Sequence, residues 1–172
     1  MTSLDARPPA GVEVLHRRAA RALILDRHDR LLLFVGLDPD RPERGSWWFT
    51  PGGGLNAGED ETFGLCREVR EETGLNVDPA LIGSPVWHRV AEFLFAGQWY
   101  RQSEHFYLLR VTDHVVDTTG FEPLEASAVQ GHRWWDLDAL ASTDDVVYPS
   151  ALAVELRRLL EVGPPSEPYE VA

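Results

Sequence analysis

The sequence predicts an α/β domain in which a mixed β-sheet is covered by helices. Three observations point there. Strand-length apolar runs fill the first third, a capped amphipathic helix follows a glycine-rich turn, and a second set of strands ends in another amphipathic helix. Strands and helices alternate irregularly, without the regular repeat of an all-parallel sheet.

Ala20–Leu25 and Leu31–Val35 read as two strands separated by the turn-like Asp26-Arg27-His28-Asp29. Asp38–Ser46 is a polar loop, Trp47-Trp48-Phe49 a short extended segment, and Pro51-Gly52-Gly53-Gly54 a break in regular structure. Asp60–Thr73 is helical: Asp60 suits the N-cap, Glu61 the first turn and Gly74 the C′ position. Ser84–Phe95 and Trp99–Val111 form a long hairpin around Ala96-Gly97-Gln98. Thr112–Gln130 is a long polar loop, Gly131–Asp136 one more strand, and Tyr148–Val162 an amphipathic last helix. Residues 1–15 are expected to be a loose N-terminus, 16–162 one folded domain, and the proline-bearing 163–172 a solvated tail.

Composition narrows the function. The net charge of −12 repels nucleic-acid backbones and anionic membranes, so neither is expected as a partner. No apolar stretch approaches a membrane span, and Met1–Gly11 lacks a signal-peptide core. A single cysteine, Cys66, forms no internal disulfide and suits a reducing compartment, so a cytoplasmic location is the default. A phosphorylated ligand would need divalent cations to offset repulsion by so acidic a chain.

Within Asp60–Thr73, Leu65, Cys66, Val69 and Thr73 share the flank that would face a core. Glu68, Glu71 and Glu72 stand at i, i+3 and i+4 on a neighbouring face. At about 5 Å and an effective dielectric of 20, each such pair repels by roughly 3 kcal/mol. Three clustered glutamates are most often just a solvated acidic face. Two features favour a hard-cation site instead. Gly64 lies one turn below Glu68, where alanine would serve the helix better by about 1 kcal/mol, and the preceding glycine turn offers carbonyl oxygens. Gly53-x₄-Gly58 has P-loop glycine spacing, but Glu59 and Asp60 stand where Lys and Ser/Thr are needed. No nucleophile elbow and no zinc spacing is present.

The string Gly53-x₅-Glu59-x₇-Arg67-Glu68-Val69-x-Glu71-Glu72-x-Gly74-Leu75 resembles the complete Nudix box of the MutT/Nudix family. A chance match at all nine places has a probability roughly below 10⁻⁸ per starting position. Arg133–Leu140 is also similar to the family's domain, so the resemblance extends from about Arg18 to Leu160. It implies an α/β/α sandwich whose box forms a loop–helix–loop. It further implies a hydrolase that cleaves a pyrophosphate bond in a nucleoside diphosphate linked to another group, water attacking phosphorus.

The same resemblance assigns roles. Glu68, Glu71 and Glu72 would bind Mg²⁺ or Mn²⁺, the Gly52 carbonyl would be a further ligand, and Glu59 and Arg67 would tie the glycine loop to the helix. A common glutamate just before the helix is replaced by Asn56. The general base is Glu68 or Glu125 in the long loop, with Glu122 behind it. An alternative is a Nudix-like module that senses a nucleotide without cleaving it, although such domains usually lose box carboxylates. The partner would be a small nucleoside diphosphate derivative, and the family admits a homodimer. For the substrate, Trp48 is the candidate base-stacking residue, Arg41 and Arg44 the candidate phosphate contacts, and His88 and Arg89 sit on a candidate hairpin strand. Large aromatics on strands more often pack a core. The resemblance does not single out one nucleotide.

Overall fold

A computed structural model describes residues 8–172, so the expectation for residues 1–7 lies outside the described residues. The first strand, β1 (Val14–Leu25), is twice the length read from its apolar half, because it continues through His16, Arg17 and Arg18. Its partner β2 (Leu31–Gly36) follows the short turn, in which Asp26 caps the chain by accepting the His28 and Arg30 amides. After a 3-10 turn at Pro42–Arg44 come β3 (Trp47–Phe49) and β4 (Gly52–Gly54), then helix α1 (Glu61–Thr73). The hairpin consists of β5 (Trp87–Phe95) and β6 (Gln98–Arg110). The remaining elements are α2 (Pro123–Ala128), β7 (Val129–Trp135), α3 (Leu137–Ser142), β8 (Val147–Tyr148), α4 (Leu152–Val162) and β9 (Tyr169–Glu170).

The sheet is mixed, in the order β8-β3-β2-β1-β6-β5-β9, with β4 added to β1 and β7 to β2. The long β1–β6 pair is parallel, β5–β6 antiparallel. Alternation along β1 sorts its side chains between two cores. Ala20, Ala22 and Ile24 meet Leu65 and Val69 of α1, whereas Leu23 and Leu25 meet Leu140 of α3 and Leu152, Leu156 and Leu159 of α4. Helices therefore flank the sheet on both faces, the α/β/α arrangement expected.

Four local readings are corrected. Gly52–Gly54 does not break the chain but pairs with Ala19–Arg21, because the missing side chains let two backbones meet: a Cβ on Gly52 would run into the Ala20 carbonyl. The polar loop contains α2, started by Pro123 and by the Glu125 carboxylate accepting the Glu122 amide at 2.9 Å. The last helix begins at Leu152, since Val147–Tyr148 pairs with β3. The expected tail is anchored: Tyr169–Glu170 adds to the edge of β5 and Val171 is buried. Three prolines suggested disorder there, but the alternating Tyr-Glu-Val that follows them fits a sheet edge.

Candidate active site

Helix α1 is fixed at both ends by its own sequence. Asp60 Oδ1 accepts the Thr62 amide at 2.9 Å, and Gly74, at φ 72°, returns its amide to the Arg70 carbonyl. Leu65 and Val69 are fully buried, which turns the neighbouring glutamate face toward β4. Glu72 accepts the Gly52 amide at 2.6 Å, and Glu68 lies where a side chain on Gly53 would be, 2.6 Å from that missing Cβ. Glycine is required at Gly53 by the closeness of the Glu68 carboxylate, and at Gly52 by the β1 backbone and a φ of 112°. Gly64 is explained likewise: a Cβ there would run into Leu55.

One carboxylate oxygen each from Glu68, Glu72 and Glu125 lie within 4.8 Å of one another. Opposite ligands on a hard cation at about 2.1 Å stand roughly 4.2 Å apart, so this all-oxygen set could coordinate one divalent ion. The electrostatics agree. Burial raises the pKa of Glu72 well above the usual carboxylate range, against the Gly52 hydrogen bond and nearby Arg21. Burial likewise raises Glu68 despite Arg67, and raises Glu125 despite its bond to the Glu122 amide. Three desolvated carboxylates facing each other favour protons or a cation.

Glu71 stands at the rim of the same cavity, its side chain 29% exposed and paired with Arg67 at 3.3 Å. Arg67 holds Glu59 through Nε and NH2 at 3.0 and 2.9 Å, Glu68 through NH1 at 2.7 Å, and the Gly54 carbonyl at 3.1 Å. These bonds hold Glu59 at about 2 and link the glycine segment to the helix. The Gly52 carbonyl accepts from Arg21 NH1.

The glutamates form one wall of a cavity of about 410 Å³. The facing floor follows from register: β1 places Arg17 opposite Gln102 and Ala19 opposite Glu104 of β6, which in turn oppose Ala91 and Arg89 of β5. Arg17, Arg21, Arg89, Tyr100, Gln102 and Glu104 thus share one face and line the cavity. Glu104 is fully buried yet held below the usual carboxylate range, because Arg21 and Arg89 outweigh the cost of its burial. Burial, then repulsion from Arg21, lowers Arg17.

The substrate-side expectations divide. Arg44 lines the cavity, but Arg41 only precedes the 3-10 turn. Trp48 does not line the cavity: its indole packs edge-on against Trp135 at 5.0 Å and donates to Asp145 at 3.0 Å, while Trp47 and Phe49 on either side line the cavity. His88 similarly turns away, and its neighbour Arg89 turns in. Arg17, Arg21, Gln102 and Glu104 were not singled out from the sequence. Strand alternation groups them, but only the β1–β6 register brings the groups together.

A family model described as NUDIX domain matches residues 15–153. The RNA pyrophosphohydrolase of Erythrobacter litoralis is 28% identical over 138 residues, which is 74% of this chain and 80% of that protein. Among solved structures, the MutT protein from Methanosarcina mazei Go1 superposes with a TM-score of 0.58 at 20% identity, covering 88% of this chain and 97% of that one. The NUDIX domain of Shewanella oneidensis NrtR, complexed with ADP ribose, gives 0.60 at 16% identity, covering 92% and 96%.

Proposed function

We propose, from the premise that this chain belongs to the NUDIX family, that it is a divalent-metal-dependent hydrolase of a nucleoside diphosphate linked to another moiety. The convergence of Glu68, Glu72 and Glu125 on one point carries the reading. Glu68 and Glu72 would hold Mg²⁺ or Mn²⁺, with the Gly52 carbonyl beside them, Glu125 opposite and Glu71 joining from the cavity rim, where it is paired with Arg67. A cation there supplies neutralisation of phosphate charge and a lowered pKa for bound water. The chain's own part is to position and to move a proton. Arg67 and Glu59 fix the helix against β4, so that the glutamate oxygens stay aligned. Glu125, on α2 rather than on the helix, accepts the proton of the attacking water at a carboxylate oxygen. Its raised pKa makes it a stronger base than a solvated glutamate. The net charge of −12 repels a polyphosphate over most of the surface, whereas the arginine floor and a cation held at the glutamate wall would attract it.

The test is a substrate panel with Mg²⁺: nucleotide sugars, ADP-ribose, dinucleoside polyphosphates, nucleoside triphosphates and, because of the name carried by the Erythrobacter relative, RNA. Phosphate and pyrophosphate release are measured separately. Glu72→Gln should abolish turnover together with Mg²⁺ binding. Glu125→Gln should weaken Mg²⁺ binding less than Glu72→Gln does and, at saturating Mg²⁺, lose about 10²–10⁴-fold in kcat. Undiminished turnover in Glu72→Gln would remove the metal assignment, and tight nucleotide binding without turnover of any compound would make the protein a sensor.

A further inference from the structure

The cavity floor built by β1, β5 and β6 carries three guanidinium groups, Arg17, Arg21 and Arg89, and one carboxylate, Glu104. The three arginines are not equivalent. Arg89 donates Nε and NH2 to one Glu104 oxygen, at 2.7 and 2.5 Å. Arg21 donates Nε to the other oxygen at 3.0 Å and NH1 to the Gly52 carbonyl. Arg17 reaches Glu104 only indirectly: its Nε donates to Gln102 Oε1, and Gln102 Nε2 donates to Glu104 Oε1 at 2.5 Å. The terminal N–H groups of Arg17 meet no protein acceptor among the described residues, and no carboxylate forms an ion pair with it.

Its place is nevertheless fixed. The guanidinium lies 4.2 Å over the Tyr100 ring and 5.9 Å from the Phe93 ring, and the two rings stack on each other at 5.5 Å. Its Cδ and NH1 stand 3.7 Å from where a Gly54 Cβ would be, beside the glycine segment that touches Glu68. A planar fork pinned on aromatic rings, held at Nε and open at its tip, is preorganised for a bidentate oxyanion. A half-buried guanidinium without an ion-pair partner is also costly, which a bound anion reverses.

We propose that Arg17 grips a phosphate outside the acidic cluster, so that the preferred substrates carry a phosphate beyond the two joined by the cleaved bond. The substrate half of this proposal rests on the hydrolase reading; the anion-binding half does not. Because Arg17 covers Tyr100, that ring is not offered to a nucleobase.

Calorimetric titrations in Mg²⁺ with two uncleavable probes separate the possibilities: methylene-bridged analogues of pyrophosphate and of tripolyphosphate. The tripolyphosphate analogue should bind the wild type more tightly. Arg17→Gln should weaken that binding by about 10- to 100-fold while changing the pyrophosphate analogue less than about 3-fold. Equal losses for both probes, or no loss, overturn the proposal, as does a wild type that does not distinguish them. Should the Gln variant fail to fold, Arg17→Met, which keeps an apolar stem on Tyr100, is read by the same comparison. No turnover is needed, so a silent substrate panel with intact probe selectivity would sink the hydrolase reading and leave Arg17 as an anion site.

Discussion

Glu72 is 4% exposed, accepts one backbone amide, and receives no ion pair from Arg67, whose contacts go to Glu59, Glu68 and Glu71. Burial raises its pKa above that of the unfolded chain. A carboxylate shifted upward stabilises the metal-free fold only while protonated. That contribution is complete below about 4.5 and disappears as pH rises through the raised value. Above that raised value the metal-free protein holds a desolvated negative charge that a cation would relieve. As pH rises above about 4.5, Glu72→Gln should gain melting temperature relative to the metal-free wild type, by roughly 2–4 °C for each kcal/mol relieved. Glutamine can still accept the Gly52 amide, so the gain is electrostatic. The same substitution should erase the Mg²⁺-induced rise in Tm shown by the wild type. Scanning calorimetry with EDTA and with Mg²⁺ checks both; a metal-free Tm that gains nothing on the wild type as pH rises, or an intact Mg²⁺ response, contradicts the assignment.

Helix α1 is bound to the sheet at its first turn as well as along its core face. Glu61 accepts from His105 Nδ1 at 2.7 Å and Tyr107 OH at 2.6 Å on β6, and from Arg18 at 2.5 Å on β1. Burial alone would raise Glu61, but bonds from Tyr107, His105 and Arg18 outweigh it and hold the carboxyl at about 2. Here the sign is opposite to that of Glu72. The folded pKa lies below the unfolded one, so the tether is complete above about 4.5 and lost as pH falls toward about 2. Urea unfolding between pH 6 and pH 2 should show the wild type losing stability over that window, and Glu61→Gln losing visibly less over it while starting lower at pH 6. Parallel acid limbs in the two proteins would show that Glu61 does not bind α1 to the sheet. The helix itself was legible in the sequence because every signal is local: the Asp60 cap, the αL Gly74 and the apolar flank. The β4 strand was not, since glycines read as breakers until β1 is seen lying against them. Helix α2 carried a readable start at Pro123 and Glu125 but is only one and a half turns long, too short for periodicity to register. Side-chain parity failed for a third reason. Trp47 and Trp48, or His88 and Arg89, alternate whichever way the sheet faces, and only the packing decides which of each pair meets the cavity.

At the scale of the whole molecule, the sheet separates two cores, and the last residues close one of them. Val171 is 5% exposed and packs with the cluster of Trp87, Leu156 and Leu159, while its amide bonds the His88 carbonyl at 3.0 Å. Tyr169 stacks under Arg158, accepts from Trp87 Nε1 at 3.1 Å and donates to Glu155 at 2.7 Å, tying β9 to both α4 and β5. None of these residues belongs to the acidic cluster, which is made from α1, β4 and α2. Stability and site should therefore come apart in this region. Val171→Ala removes two buried methyl groups and should cost about 1.5 kcal/mol or more, a fall of roughly 3–6 °C in Tm for a chain of this size. The increment in Tm produced by Mg²⁺ should be the same in variant and wild type, because distant sites without shared partners contribute additively. If the substitution left Tm unmoved, the strand would be an ornament on the fold. If instead it reduced the Mg²⁺ increment, the two cores would be mechanically coupled through β1 and β5, and the cluster's geometry would depend on packing on the far side of the sheet.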